Sequence, residues 1–418
     1  MLLAEQDFYP TSAEYFCNKN VEFYNYLVIK FYSLNVPFNR LRVNHIEYGL
    51  RVDFKGTELR KAKIIQEIDP ISSSIPINSF DFSIDSHRNI DFSFQAKQPL
   101  EVVVDGKTFS STFVKSANRK SKTVWDIQSE DYIGLMDSIY FVGGIYKDKN
   151  SVELIEEIFA TAKIPYEIIG DFSKETVSGH IPYTTCREAL MQVLFVIGAC
   201  ADTSNSDKVK IFALSQEVSQ NIPKRRTMRG STFKESKRIT ALEITAHSYD
   251  MSEDEVVAFD ASQSEAFSPS SILVEFAEPL HSLTIENGEI EESGSNYAII
   301  SGNGNCKLKG KKYLHTTTVY KKVNPLVLSS DLENIVSIEN ATLVSSQNVD
   351  KVFSLCYNYI VGTERTTMKI IDGKTQQSTA VGDLISFETE YLGTRSGRIV
   401  KQTFSLSGGI IIKDSEVR

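Results

Sequence analysis

Six histidines (His45, His87, His180, His247, His281 and His315) and five cysteines (Cys17, Cys186, Cys200, Cys306 and Cys356) are the side chains here best suited to metal binding or nucleophilic chemistry. Their spacing does not organise them. No two histidines stand as HxH or HxxxH, and no cysteines stand as CxxC, the patterns by which a helix turn or tight loop brings ligands to one ion. Cys186 falls at an expected helix N-terminus, where the helix dipole favours a thiolate, but Arg187 is the only cation beside it, so a structural thiol is expected. Neither a GxSxG elbow nor a Walker loop occurs. Ser301-Gly302-Asn303-Gly304-Asn305 is glycine-rich but lies between expected strands, whereas a phosphate cradle runs from a strand into a helix N-terminus; a hairpin turn is expected. Among 54 acidic residues, spacing alone cannot single out an acid–base pair, so a hydrolase stays open on this count. The expectation is no catalytic, cofactor or metal residue, and a protein that is not an enzyme.

One run of charge stands out: Lys224, Arg225, Arg226, Arg229, Lys234, Lys237 and Arg238. Its plain reading is a solvated linker over 216–238. The sharper one is a patch on an outer or interdomain surface that meets an acidic neighbour or passing nucleic acid. The whole chain carries −9, which argues against a general nucleic-acid binder.

These groups need a scaffold, and 418 residues supply two to four domains' worth. Hydrophobic residues at 41% and charged residues at 24% fit a globular chain. An odd, unpaired set of cysteines fits a reducing compartment. The opening residues show no secretory signal, and Tyr24–Phe38, broken by Lys30, Asn35 and Pro37, is too polar to span a bilayer. Assembly in the cytosol is expected.

Along the chain, residues 1–40 give no clear element, and Tyr24–Tyr32 reads equally as strand or short helix. Over 41–130 the period is two. Phe80–Ile84 and Ile90–Phe94 alternate apolar with polar, Leu100–Val104 follows with an Asp105-Gly106 turn, and Lys122–Ile127 completes a meander. Residues 131–215 read as an α+β insert. Tyr132, Leu135, Met136 and Ile139 share one helical face, and Val152, Ile155, Phe159 and Ala162 share another, with Asn150 or Ser151 as cap and Pro165 as stop. Thr185 and Glu188 have capping-box spacing before Leu190, Val193, Leu194 and Ile197, which Gly198 ends. Val209–Phe212 is an expected strand.

Residues 239–418 read as a second β region. Its expected strands are Thr240–Tyr249, 271–278, 296–300, 312–322, Met368–Ile371, Asp383–Glu390, Arg398–Leu406 and Ile410–Lys413. A single helix is expected over Gln347–Ile360. Turns are expected at Asp372-Gly373, Ser396-Gly397 and Gly408-Gly409. Residues 250–270, acidic and serine-rich, read as a long loop.

Four stretches together resemble the hub proteins of phage tails, as found in prophages and phage-tail-like bacteriocins of Gram-positive bacteria. They are Lys61–Ile65 running into Ile75–Ile84, Gly143–Tyr146 before the Ser151 helix, Gly179–Tyr183 through Thr185–Leu190 to Asp202-Thr203, and Gly397–Gln402 through Leu406–Ile410. None of them is catalytic. The resemblance covers roughly residues 41–418 and implies a mainly β (α+β) fold with two tail-tube-like β-barrel domains. It also implies a homotrimeric ring joining a sixfold tube to a threefold spike, in a virion or phage-tail-like particle. Implied partners are the tail tube or a tube-initiator protein, the central spike, other baseplate proteins and the tape-measure protein, with nucleic acid only in transit and no cofactor. A tail-tip protein of a non-contractile tail acting in host adhesion, and a tail-borne cell-wall hydrolase, are the alternatives.

Overall fold

The computed structural model describes residues 28–31, 53–69, 75–86, 94, 96–104, 107–226, 232–235, 237–263, 271–360, 366–372, 379–389, 393–407 and 410–418. The expected strand before Phe94, the Asp105-Gly106 turn, Cys17, His45, His87, Arg229, Gly373 and Gly408-Gly409 lie outside these residues, as does most of 1–40; residues 28–31 are irregular and exposed.

The first strands are β1 (Leu59–Glu67), β2 (Ser79–Asp85), β3 (Pro99–Val104), β4 (Lys107–Arg119) and β5 (Val124–Glu130). They pair antiparallel in the order β1-β2-β5-β4-β3. Alternation does what it should: Phe80, Phe82 and Ile84 of β2 and Trp125 and Ile127 of β5 point into one core, where the Phe80 and Phe82 rings stack at 4.5 Å. β4, a 13-residue strand, had no clear expectation in the sequence.

The insert follows: α1 (Tyr132–Met136), β6 (Tyr140–Phe141), β7 (Gly144–Asn150), α2 (Ser151–Ala162), β8 (Tyr166–Ile169), β9 (Thr176–Ile181), β10 (Thr184–Thr185), α3 (Cys186–Ile197), β11 (Ala199–Asp202) and β12 (Val209–Ala213). Asn150 caps α2, its Oδ1 accepting from the amides of Val152 (2.9 Å) and Glu153 (3.3 Å). Helix α3 is buried from Ala189 to Ile197 and ends on left-handed Gly198, whose missing Cβ would stand 2.7 Å from Leu355 Cδ1.

The remainder comprises β13 (Val218–Ile222), β14 (Thr232–Glu235), β15 (Ala241–Asp260), β16 (Ile272–Glu275), β17 (Leu280–Ser293), β18 (Tyr297–Val323), β19 (Ile335–Ile338), α4 (Val349–Ile360), β20 (Thr366–Asp372), β21 (Leu384–Glu388), β22 (Thr394–Ser407) and β23 (Ile410–Val417). Strands β15 to β19 make a five-stranded sheet. Strands β13, β14 and β20 to β23 instead join the first sheet through β22, which lies beside β1 with Ile64 opposite Phe404, giving eleven strands. The largest core belongs to the insert: α2 and α3 pack there with α4, Leu242 and Ile244 of β15, and Leu343 and Val344.

The strand pairing departs from the sequence expectations in several places. The eleven-stranded sheet takes strands from both 41–130 and 239–418. Among the described residues both large sheets run as open paths rather than closed barrels. The acidic 250–260 stretch is strand, the outer half of β15. Ser301–Asn305 and Ser396-Gly397 are not turns but lie within β18 and β22. Strand β17 was missed. The expected linker 216–238 contains β13, paired with β21, and β14, paired with β20.

Candidate assembly surface and its buried polar centres

The joint between the first sheet and the insert is polar and buried. Asn78, one residue before β2, donates from Nδ2 to Thr203 Oγ1 (2.9 Å) and Asp202 Oδ1 (3.3 Å), and its Oδ1 accepts from the Glu67 amide at 2.8 Å. Thr203 donates to Asp131 Oδ2 at 2.5 Å, and Asp131 Oδ1 caps α1 through the Gly134 amide at 3.1 Å. Lys210 lies 3.5 Å from Asp202. Burial pushes the Asp131 carboxyl up to about 7; the Thr203 hydroxyl and the Gly134 and Asn78 amides pull it down, and Asp202 adds to the rise. Such a perturbed acid flags a functional site when it lines a cleft. Asp131 is 1% exposed and all its contacts are internal, so its work is to hold the insert on the sheet.

A second centre gathers three of the histidines. His180 on β9 meets the amide side chain of Asn296, the residue before β18, at 2.8 Å (Nε2 to Oδ1), and packs edge-on against Tyr249 of β15. Tyr249 stacks on His315 of β18 at 4.5 Å, and His315 Nε2 meets His247 Nδ1 at 3.0 Å. His247 Nε2 in turn meets the carbonyl of Glu339. Burial, and then the neighbouring His315, hold His180 and His247 below the usual imidazole range, against the hydrogen bonds they donate to the Asn296 Oδ1 and the Glu339 carbonyl, which act the other way. Asn296 also donates from Nδ2 to the carbonyls of Val142 and Ile181, so the β17–β18 turn plugs into the insert. His281 stands apart, edge-on to Tyr313. Among the described residues no three His, Cys, Asp or Glu side chains are placed to hold a metal ion.

The described cysteines are buried and free. Burial raises the Cys186, Cys200 and Cys356 thiols to about 12, so at Cys186 desolvation outweighs the helix terminus. Thr185 caps α3, accepting from the Glu188 amide at 3.2 Å, but the capping box is half made: the Glu188 carboxylate takes the hydroxyl of Thr184.

The basic run is divided. Lys224–Arg226 form a short 3-10 turn whose Lys224 amide reaches Glu388, while Arg238 pairs with Asp331 at 3.5 Å. A second charged surface had no sequence signal. Lys307, Lys309, Lys311 and Lys312 of β18 meet Asp260, Glu286, Glu253 and Glu278 on the strands and loop to either side. The acidity of β15 is thus one rail of a cross-strand ladder.

Of the two best-formed pockets, the larger holds about 210 Å³ between Lys174–Ser178 and Gln347–Lys351, and the smaller about 20 Å³; a drug-sized ligand wants roughly 300 Å³ or more. Among the described residues no helix is long and apolar enough to cross a membrane. What the surface offers instead is strand edges and exposed aliphatics, with Leu314, Val319, Val323, Leu326, Leu328 and Leu332 all more than half exposed in one run of chain.

No family model and no curated protein matches the sequence. Solved structures share its fold. The tail protein from Neisseria meningitidis aligns with a TM-score of 0.54 at 14% identity, over 86% of this chain and 92% of that one. The 43 kDa tail protein of prophage MuSo2 from Shewanella oneidensis aligns with a TM-score of 0.53 at 11% identity, over 86% and 94%. The chain therefore has the fold of phage tail proteins, mainly β, with α1, α2 and α3 in the insert and α4 packed against it.

Proposed function

We propose that this chain is a structural component of a phage-type tail, the hub at the tip of the tail tube, and that it acts without catalysis. The observation that carries the reading is the shared fold with two phage tail proteins over 86% of the chain. The buried polar groups support it: the Asp131 and His247 centres both join parts of the molecule to one another. In this reading three copies form a ring between a sixfold tube and a threefold spike. The partners are the tube or its initiator, the spike, other baseplate proteins and the tape-measure protein, and the ring sits in a virion or tail-like particle. Exposed Arg225 faces an acidic neighbour rather than the lumen, where a basic wall would hold passing nucleic acid.

Immunogold electron microscopy of particles from the producing cells tests the assignment. Label confined to the tail tip is expected; label along the tube or on the head overturns it. Zymography of the purified chain on peptidoglycan tests the absence of catalysis, and a lytic band refutes it.

A further inference from the structure

At one end of the five-stranded sheet, β16, β18 and β17 present an outer face built of rings and aliphatic chains. Leu273 stands opposite Ile299, Glu275 opposite Tyr297, and Glu289 opposite Ser301. Directly opposed residues share a face of the sheet. The alternate residues Val274, Ala298 and Ile300 fill the small core beneath. The outer face thus carries Leu273, which is 51% exposed, beside the partly exposed Ile299 and Tyr297. It continues onto the insert, where Tyr183 bonds Glu275 and stacks on Tyr140 at 5.2 Å, leaving Tyr140 55% exposed. Aromatic rings and aliphatic chains set side by side in water have the make-up of a protein contact.

The charge around these rings selects what covers them. Tyr297 donates to Glu292, Tyr183 to Glu275, and Ser271 to Glu291 at 2.7 Å. Hydroxyl donors orient the carboxylates and neutralise none of them; the Ser271 and Ser301 hydroxyls hold Glu291 below its ordinary range. Glu289 is exposed in the same face. Among the described residues no lysine or arginine pairs with Glu275, Glu289, Glu291 or Glu292. Further along the same sheet the opposite holds, since Asp260, Glu286, Glu253 and Glu278 each meet a lysine of β18. Uncompensated carboxylates beside electron-rich rings attract a cation twice over, by charge and through the ring faces. A neutral sugar would use the rings and leave the charge unanswered.

We infer that this face docks a separate protein through a segment that presents a basic side chain beside an aliphatic one. The cation lies against Tyr140 and Glu275, and the aliphatic group lies against Leu273 and Ile299. Arginine suits the place better than lysine, because a planar guanidinium stacks on a ring while donating to a carboxylate at its edge. The contact weakens with salt, as exposed charge pairs do. It needs only this surface, so it stands or falls apart from the hub assignment.

The test is fluorescence anisotropy of the full chain with a fluorescein-labelled heptapeptide that alternates arginine with leucine. The same peptide with glutamate for arginine is the control. Saturable binding of the arginine peptide alone is expected. Tyr140→Ala and the Glu275→Gln/Glu292→Gln pair should each weaken it about tenfold, the scale of one desolvated cation–ring contact. Tyr140→Phe, which keeps the ring, should bind as the unmodified chain does. Glu253→Gln and Glu286→Gln, which remove acids already paired with lysines, should leave binding unchanged. Equal weakening by these last two means that bulk negative charge holds the peptide, and overturns the inference. So does the absence of saturable binding, or binding indifferent to Tyr140→Ala. Soluble oligosaccharide that binds and displaces nothing but itself, with the peptide not binding, assigns the rings to a sugar and also overturns it. Native mass spectrometry of the chain alone completes the test: self-association abolished by Tyr140→Ala would make a second copy the occupant and refute a separate partner.

Discussion

Asn78→Ala should be among the most damaging single substitutions outside the apolar core. The side chain is 4% exposed. It donates to Thr203 and Asp202 and accepts from the Glu67 amide, so alanine strands one buried amide and takes a donor from a buried carboxylate. A net neutral hydrogen bond is worth about 1 kcal/mol, and one to a charged group about 1.5–3 kcal/mol. The Asp202 contact at 3.3 Å is long, so the low end applies there, and the total comes to roughly 3–4 kcal/mol before any water enters the gap. Urea unfolding should show this as a lower midpoint at unchanged slope. Hydrogen exchange should localise it to β1, β2 and β11 and leave β17 untouched. A loss under about 1 kcal/mol, or exchange raised equally throughout, would show that the network is not the joint described.

Three further outcomes follow from the geometry. Thr185→Ala should cost ~1 kcal/mol through the lost cap and loosen the insert alone, read by hydrogen exchange over α3. Gly302→Ala should destabilise the β17–β18 pair by about 1–3 kcal/mol, because its Cβ would fall 2.8 Å from the Asn287 carbonyl and 3.0 Å from Gly288 Cα; an unchanged melting temperature would refute that close approach. For pH, His180 and His247 have folded pKa values below 6.5, so their stabilisation is complete above about 6.5 and lost as pH falls through the folded values. Asp131, raised from 3.8 to about 7, works the other way, losing its contribution as pH rises from about 4 to 7. Amide exchange, corrected for intrinsic rate, should therefore rise over β15 between pH 7 and 5.5 but not around α1, and flat exchange over β15 would contradict the histidine centre.

Local signals in the sequence carried through to the fold. Asn150, Thr185 and Gly198 act within one turn of the helices they bound, so spacing alone located α2 and α3. Long-range contacts left no such trace. Asn78 and Thr203 lie 125 residues apart, and His247 and His315 lie 68 apart. Glycine signals misled for a physical reason. Ser301–Asn305 read as a turn, yet Gly302 faces Gly288 across β17 and β18, where a Cβ on either would meet backbone at 2.6–2.8 Å. Gly397 is absent a side chain for the same cause, with Val417 Cγ1 2.6 Å from where its Cβ would be. The acids of β15 read as loop because their lysine partners are about 50 residues further on.

The place of β1 between β2 and β22 has a consequence during synthesis. Its partner Lys401 is made 334 residues after Glu67, which at roughly 5–20 residues per second is about 20–70 s of translation. Through that interval β1 to β5 can fold as a meander, but one side of β1 stays open to whatever nascent chain passes. The eleven-stranded sheet is thus completed late, through contacts of very high sequence separation. Chaperone dependence of yield, and rescue of truncated chains by a separately supplied 379–418 fragment, are the signatures such a late-closing strand would leave.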